Sequence, residues 1–204
     1  MPVTNPIPIA AIQIPQAAAA PSLEDVLRDI QSDDDDVRTN AWLSAGNLGA
    51  SAVEPLIVLT SHPAPEVARA AKRGLWQVVR QSGRPEADAE REAVSAALIG
   101  FLSDDVPVAL RRDILWMLSE SGGDACVEPV AALIANPDLR EDARMTLERI
   151  PGDASLAALQ AALESVPDDF KLNIAQSLRQ RGVTVEGLPC AKLVPTKSTE
   201  VKPL

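Results

Sequence analysis

The sequence predicts an all-α fold, a solenoid of about five helix-pair repeats over residues 22–183, on three observations. One pattern of apolar positions returns five times. Inside each copy the apolar residues are spaced as one face of a helix. The apolar fraction, 46% of the chain, is carried mainly by Ala, Leu and Val, with only two Phe, three Trp and no Tyr. Short aliphatic side chains suit close helix–helix packing, whereas strands favour β-branched and aromatic residues.

Self-similarity is the strongest of the three. Val37, Ala41, Ala45 and Leu48 follow at steps of 4, 4 and 3 residues, which places them on one helical face. The pattern returns at Val67, Ala71, Leu75 and Val78, and then at Leu110, Ile114 and Leu118. It returns again at Leu139, Ala143, Leu147 and Ile150, and last at Phe170, Ile174 and Leu178. First members are separated by 30, 43, 29 and 31 residues, and the long step holds a polar insert, SGRPEADAEREA, at 82–93.

Each copy has a second helix upstream, expected at 22–30, 52–60, 94–102, 126–134 and 155–163. Between the two lies a short Asp- and Pro-rich turn: SDDDD at 32–36, SHPAP at 61–65, SDDVP at 103–107, NPD at 136–138 and PDD at 167–169. Such residues stop one helix, and an Asp caps the free N–H groups of the next. Neither helix of a pair buries its face alone, so stacking the pairs makes the core.

The stretch AVEPLIVLTSHPAPEVARAAKRGL at 52–75 resembles the short bacterial variety of HEAT repeat, the type also found in phycobilin lyases. The resemblance covers all but the two ends of the chain. It implies a right-handed α-α superhelix, a HEAT/armadillo-like solenoid whose later helices line a concave surface. Its members range from scaffolds to lyases and a few enzymes, so function has to be argued from a site.

Residues 1–21 lack a basic start, and Pro6, Pro8 and Pro15 interrupt their apolar stretch. They read as an extended Pro/Ala-rich arm rather than a secretory signal. Residues 184–204 show no period and read as a flexible or extended tail. No apolar run reaches the roughly 18 residues of a membrane span, so the expected location is cytoplasmic. A net charge of −10 and a pI near 4.6 repel phosphates, which disfavours nucleic acid and anionic membranes as partners. Cys126 and Cys190 form neither a disulfide framework nor a metal-binding spacing.

Candidate chemistry is sparse. The basic ladder Arg38, Arg111, Arg140 and Lys171 is expected to pair with the acidic turns of neighbouring repeats. Asp33–Asp36 lacks the Gly and terminal Glu of a calcium loop and reads as a solvated cap. His62 is the only histidine, so the His-Glu pairs by which HEAT-like deoxyhypusine hydroxylases hold metal are missing. Cys126 reads as a buried small hydrophobe. No catalytic set emerges, and no cofactor or metal is expected.

A helical wheel through the later helices separates the apolar core from an opposite face. On that face fall Leu43, Arg73, Trp76, Arg112, Trp116, Met145 and Leu172. With the concave surface that the resemblance implies, these residues would form an apolar stripe. Arg69, Arg73 and Arg112 would border it at one end, and Glu141, Asp142 and Glu148 at the other. Exposed Trp beside Arg is the composition of binding hot spots; the alternative is that superhelical twist or a tail covers the rings. Trp42 lies to one side, suited to packing between repeats. The Ile-Pro-rich arm suits an aromatic-lined groove, this chain's own or a partner subunit's.

These features point to a non-catalytic protein–protein interaction scaffold, a subunit or assembly factor that binds another protein or peptide through the concave face. The alternatives are a cofactor maturation factor like the phycobilin lyases and, against the acidic charge, a repair enzyme like the HEAT-like DNA glycosylases.

Overall fold

A computed structural model of the chain describes residues 21–189, and the expectations for the arm at 1–20 and for the tail beyond Pro189 lie outside them. The described residues are helical, with no strand among them. They form α1 (Leu23–Ile30), α2 (Asp35–Ser44), α3 (Val53–Leu59), α4 (Pro65–Ser82) and α5 (Asp88–Ile99). Then follow α6 (Val108–Ser121), α7 (Val127–Ala132), α8 (Arg140–Arg149), α9 (Asp153–Ser165) and α10 (Asp168–Gln180). Consecutive helices pack in pairs, α1 with α2 through to α9 with α10. Each even-numbered helix also packs on the next, from α2 to α10. The even-numbered helices therefore make one continuous row.

The expected caps form in detail at the start of the chain. Ser22 and Asp25 close a capping box on α1, and the Asp34 carboxylate accepts from the N–H groups of Asp36 and Val37 at the start of α2. Asp34 thus spends its charge on a helix end, where the dipole favours an anion. The core that the wheel proposed is buried at Ala41, Ala45, Ala71, Leu75, Ile114, Leu118 and Leu147. Leu48 and Leu110 are only half-buried, and Val37 is 38% exposed. It stands in the end pair and lines a groove with Pro21, Val26 and Ala41, on the flank of α2 away from α4.

Two boundaries differ from the sequence reading. The helix expected to run through Leu48 ends at Ser44, and Ala45–Ala52 continues as a 3-10 segment broken at Gly49, whose φ is 59°. Only glycine adopts that conformation cheaply. At Gly46 a Cβ would come within 3.0 Å of the Gln77 carbonyl oxygen, so the missing side chain lets this segment close on α4. The polar insert at 82–93 is split between three elements: Ser82 ends α4, residues 83–87 form a turn, and Asp88 already starts α5. Its Ala, Glu and Arg residues favour a helix.

By length and composition Asp35–Leu59 would suffice to cross a membrane, being 25 residues long with an 18-residue stretch at a mean hydropathy of 1.2. In the fold it is interrupted at Gly49, and Ala45, Ala52, Val53 and Leu56 are wholly buried in the protein core. At the other end, Val183 and Val185 pack against the core, and Arg179 donates to the Val185 and Leu188 carbonyls. The first residues of the expected tail are thus held to α10.

Candidate functional site

The residues predicted for the stripe lie on the even-numbered helices, and two of them, a pair of indoles, meet. Trp76 on α4 and Trp116 on α6 meet edge to face, with ring centroids 6.5 Å apart and planes at 88°. The quadrupoles of two rings favour that arrangement, adding about 0.5–1.5 kcal/mol to their burial. Trp116 remains 53% exposed, whereas Trp76 is half-buried and packs against the core. Leu43 on α2 and Leu172 on α10 are 50% and 48% exposed, and Met145 on α8 is half-buried.

The two arginines on the predicted stripe are both engaged. Arg73 lies over the ring of Trp42, 5.5 Å from its centroid, and so joins α4 to α2. Arg112 donates to the Asp138 carbonyl at 2.7 Å and pairs with Asp142 at 3.4 Å. Two cations that the sequence reading passed over shape the site more directly. Arg80 covers the Trp76 face at 5.5 Å, and Lys72 pairs with Asp113 at 2.7 Å across α4 and α6. The spacing of four between Trp76 and Arg80 was a signal for the first of these. The second spans two helices and leaves no local trace.

Towards α10 the same face is ionic. Arg144, with a side chain 14% exposed, donates to both oxygens of Glu141 at 2.6 and 3.0 Å and to Glu148 at 2.8 Å. From α10, Asn173 donates to Glu141 at 3.0 Å and the Ser177 hydroxyl to Glu148 at 2.6 Å. Burial alone would raise the Glu141 pKa, but the hydrogen bonds from Arg144 and Asn173 outweigh it and hold the carboxyl below its ordinary value. Burial would likewise lower the Arg144 guanidinium, and its bonds to Glu141 and Glu148 raise it instead.

The remaining candidates sort into structural roles. In the basic ladder only Arg140 reaches the turn of the next pair, bonding Asp169 at 3.0 Å. Arg38, Arg111 and Lys171 pair with Asp35, Asp104 and Asp168 in the turns of their own pairs. An own-turn partner is the nearer one for a residue just inside the helix. The His62 ring nitrogen Nδ1 accepts from the Ala64 N–H at 3.1 Å and closes a turn. Cys126 is buried, and burial pushes its thiol pKa up, away from the reactive thiolate. Among the described residues, no three His, Cys, Asp or Glu side chains gather as metal ligands would.

The arrangement offers an aromatic contact surface with cations already spent on the rings, next to an ionic surface that satisfies itself. Compared with protein-family models and with curated proteins, the chain matches none.

Proposed function

We propose that this chain is a non-catalytic interaction module, a HEAT-like right-handed superhelix that holds a partner protein or peptide as a subunit or assembly factor in the cytoplasm. The exposed Trp116, braced edge-on by Trp76, carries this reading. A large ring left half in water within a well-packed helical row forfeits burial free energy, and indoles in such settings dominate binding hot spots. The pairing of consecutive helices and the unbroken even-numbered row support the superhelical reading, in which the stripe would lie on the concave side. Leu43, Met145 and Leu172 extend the apolar contact, and Arg73 and Arg112 brace its edges.

The test compares affinity capture from the source organism's lysate by the native chain, by Trp116→Ala and by Val58→Ala. Val58 is 66% exposed on α3, outside the even-numbered row, and serves as the control. A partner held by the native chain and by Val58→Ala but lost by Trp116→Ala supports the stripe. Equal capture by all three, with helical circular dichroism intact, moves binding off this face.

A further inference from the structure

α4 is a basic island in an acidic chain. It carries Arg69, Lys72, Arg73 and Arg80 against the single acid Glu66, a net charge of +3 where the whole chain is −10. Lys72 is neutralised by Asp113 on α6. Arg69 and Arg73 have no carboxylate partner among the described residues. Arg69 commits its Nε–H to the Pro65 carbonyl at 3.2 Å, which leaves its terminal N–H groups unused. For Arg73 the contact over Trp42 is the one polar interaction among the described residues. A cation is held over a ring by its charge, so the N–H donors of Arg73 stay open.

Both guanidinium groups line a cavity of about 310 Å3 between α2 and α4, together with Thr39, Trp42 and Ala70. Three further charged side chains line it. Arg38, 9% exposed, is spent on Asp35 and the Ser32 carbonyl. Glu66 stands exposed in the first turn of α4, where the helix dipole favours an anion, and bonds neither open arginine. The cavity is thus left with two open cations to one carboxylate, beside an indole. Arginines one helical turn apart present N–H donors side by side, the arrangement that clamps a carboxylate. The volume is at the small end for a ligand site and suits one side chain. Three residues beyond Arg73, Trp76 meets Trp116, so an apolar surface lies next to the cations. A nucleic acid is the poorer occupant, because a long polyanion meets the repulsion of the whole chain, whereas a peptide brings a few carboxylates to one place.

We propose that the partner segment is acidic: a Glu or Asp side chain enters this cavity and binds Arg69 and Arg73, while an apolar neighbour rests on Trp116. The proposal builds on the interaction-module reading and names the chemistry of the partner. The probe is a short synthetic peptide of Glu and Leu, with its Gln and Lys counterparts, titrated at low salt into the native chain. Emission from Trp42, Trp76 and Trp116, the chain's three tryptophans, reports binding. Net charge alone predicts that the Lys peptide binds and the Glu peptide does not. The cavity predicts that the Glu peptide binds more tightly than the Gln peptide and is released by about 1 M salt. Arg69→Gln/Arg73→Gln should weaken it roughly tenfold with helical circular dichroism unchanged. Thr39→Glu, which adds a carboxylate at an exposed position of the cavity wall, should do the same. Equal affinity for the Glu and Gln peptides overturns the proposal, as does Glu-peptide binding that neither variant weakens. Preference for an oligothymidine over the Glu peptide overturns it too. Glu-peptide binding that needs the arginines but not Trp116 supports the acidic site and takes the partner off the indoles. A lysate partner lost with Trp116→Ala yet kept by the arginine variant leaves the stripe standing and overturns the acidic partner.

Discussion

The row of even-numbered helices uses the same register positions for opposite ends in its two halves. Trp76 on α4 and Glu148 on α8 stand at equivalent places, nine residues after the first core member of their copies. So do Trp116 and Met145, and Arg112 and Glu141. In the α8–α10 half the polar side chains find one another: Arg144 binds Glu141 and Glu148, and α10 supplies Asn173 and Ser177. In the α4–α6 half the rings find one another, yet leave Trp116 half in water. A repeat fold fixes where side chains point, while residue type decides whether a face closes on itself or stays open to a partner.

The largest effect should come from breaking the closed half. Arg144→Ala leaves Glu141 and Glu148 without their shared cation and Ser177 without a donor. Removing one member of a partly buried, hydrogen-bonded network costs more than the network is worth against solvent, here about 2–3 kcal/mol. Urea unfolding of native and variant chains measures it. A loss below about 0.5 kcal/mol would place the network among ordinary surface ion pairs and erase the contrast.

A smaller effect follows from pH. The folded pKa of Glu141 lies below its ordinary value of 4.5. The stabilisation this group contributes is therefore complete above about pH 4.5 and is lost as pH falls through the folded value. The expected result is a gap in urea midpoint between native and Arg144→Ala chains that is wide near neutrality and narrows on acidification below that point. A gap that stays constant would separate Arg144 from the Glu141 titration.

The pairing of helices was legible because the 4, 4, 3 spacing and the acidic turns recur, and each is local in sequence. What the sequence hid is what depends on a neighbouring helix. The wheel gave Trp76 and Trp116 the same outward direction, but only the crossing of α4 and α6 sets one ring edge-on against the other and half-buries Trp76. The same wheel cannot tell whether Arg140 reaches its own turn or that of α10. Gly46 reads as a weak helix residue, and its use as a point of close approach appears only with Gln77 opposite. Val37, Leu48 and Leu110 match the core spacing and are not buried, because periodicity sets a direction on the helix and not what packs there.

In the open half the expected losses of stability are smaller and the losses of binding are not. Trp116→Ala should cost about 1–2 kcal/mol, less than Arg144→Ala, since the half-solvated ring gives up only its remaining burial and the edge-to-face contact. Capture of the partner should nevertheless disappear. A variant as destabilised as Arg144→Ala would mean that the Trp116 ring is a structural brace rather than a contact surface.

The smallest effect is the most discriminating. Arg80 holds its guanidinium over the Trp76 face from an exposed position on the same helix. Arg80→Gln keeps a polar stem and removes the cation, which at an exposed site is worth about 0.5–1 kcal/mol. A double-mutant cycle with Trp76→Leu isolates that coupling from changes in burial. If the coupling is present, Arg80 occupies the one ring face that a partner would otherwise use, and its removal should leave capture intact or strengthen it. If the coupling is absent, the Trp76 face is open in solution and both indoles, rather than Trp116 alone, are available to the partner. Either result fixes how much of the aromatic half is already closed before binding, which is where the two halves of the row differ.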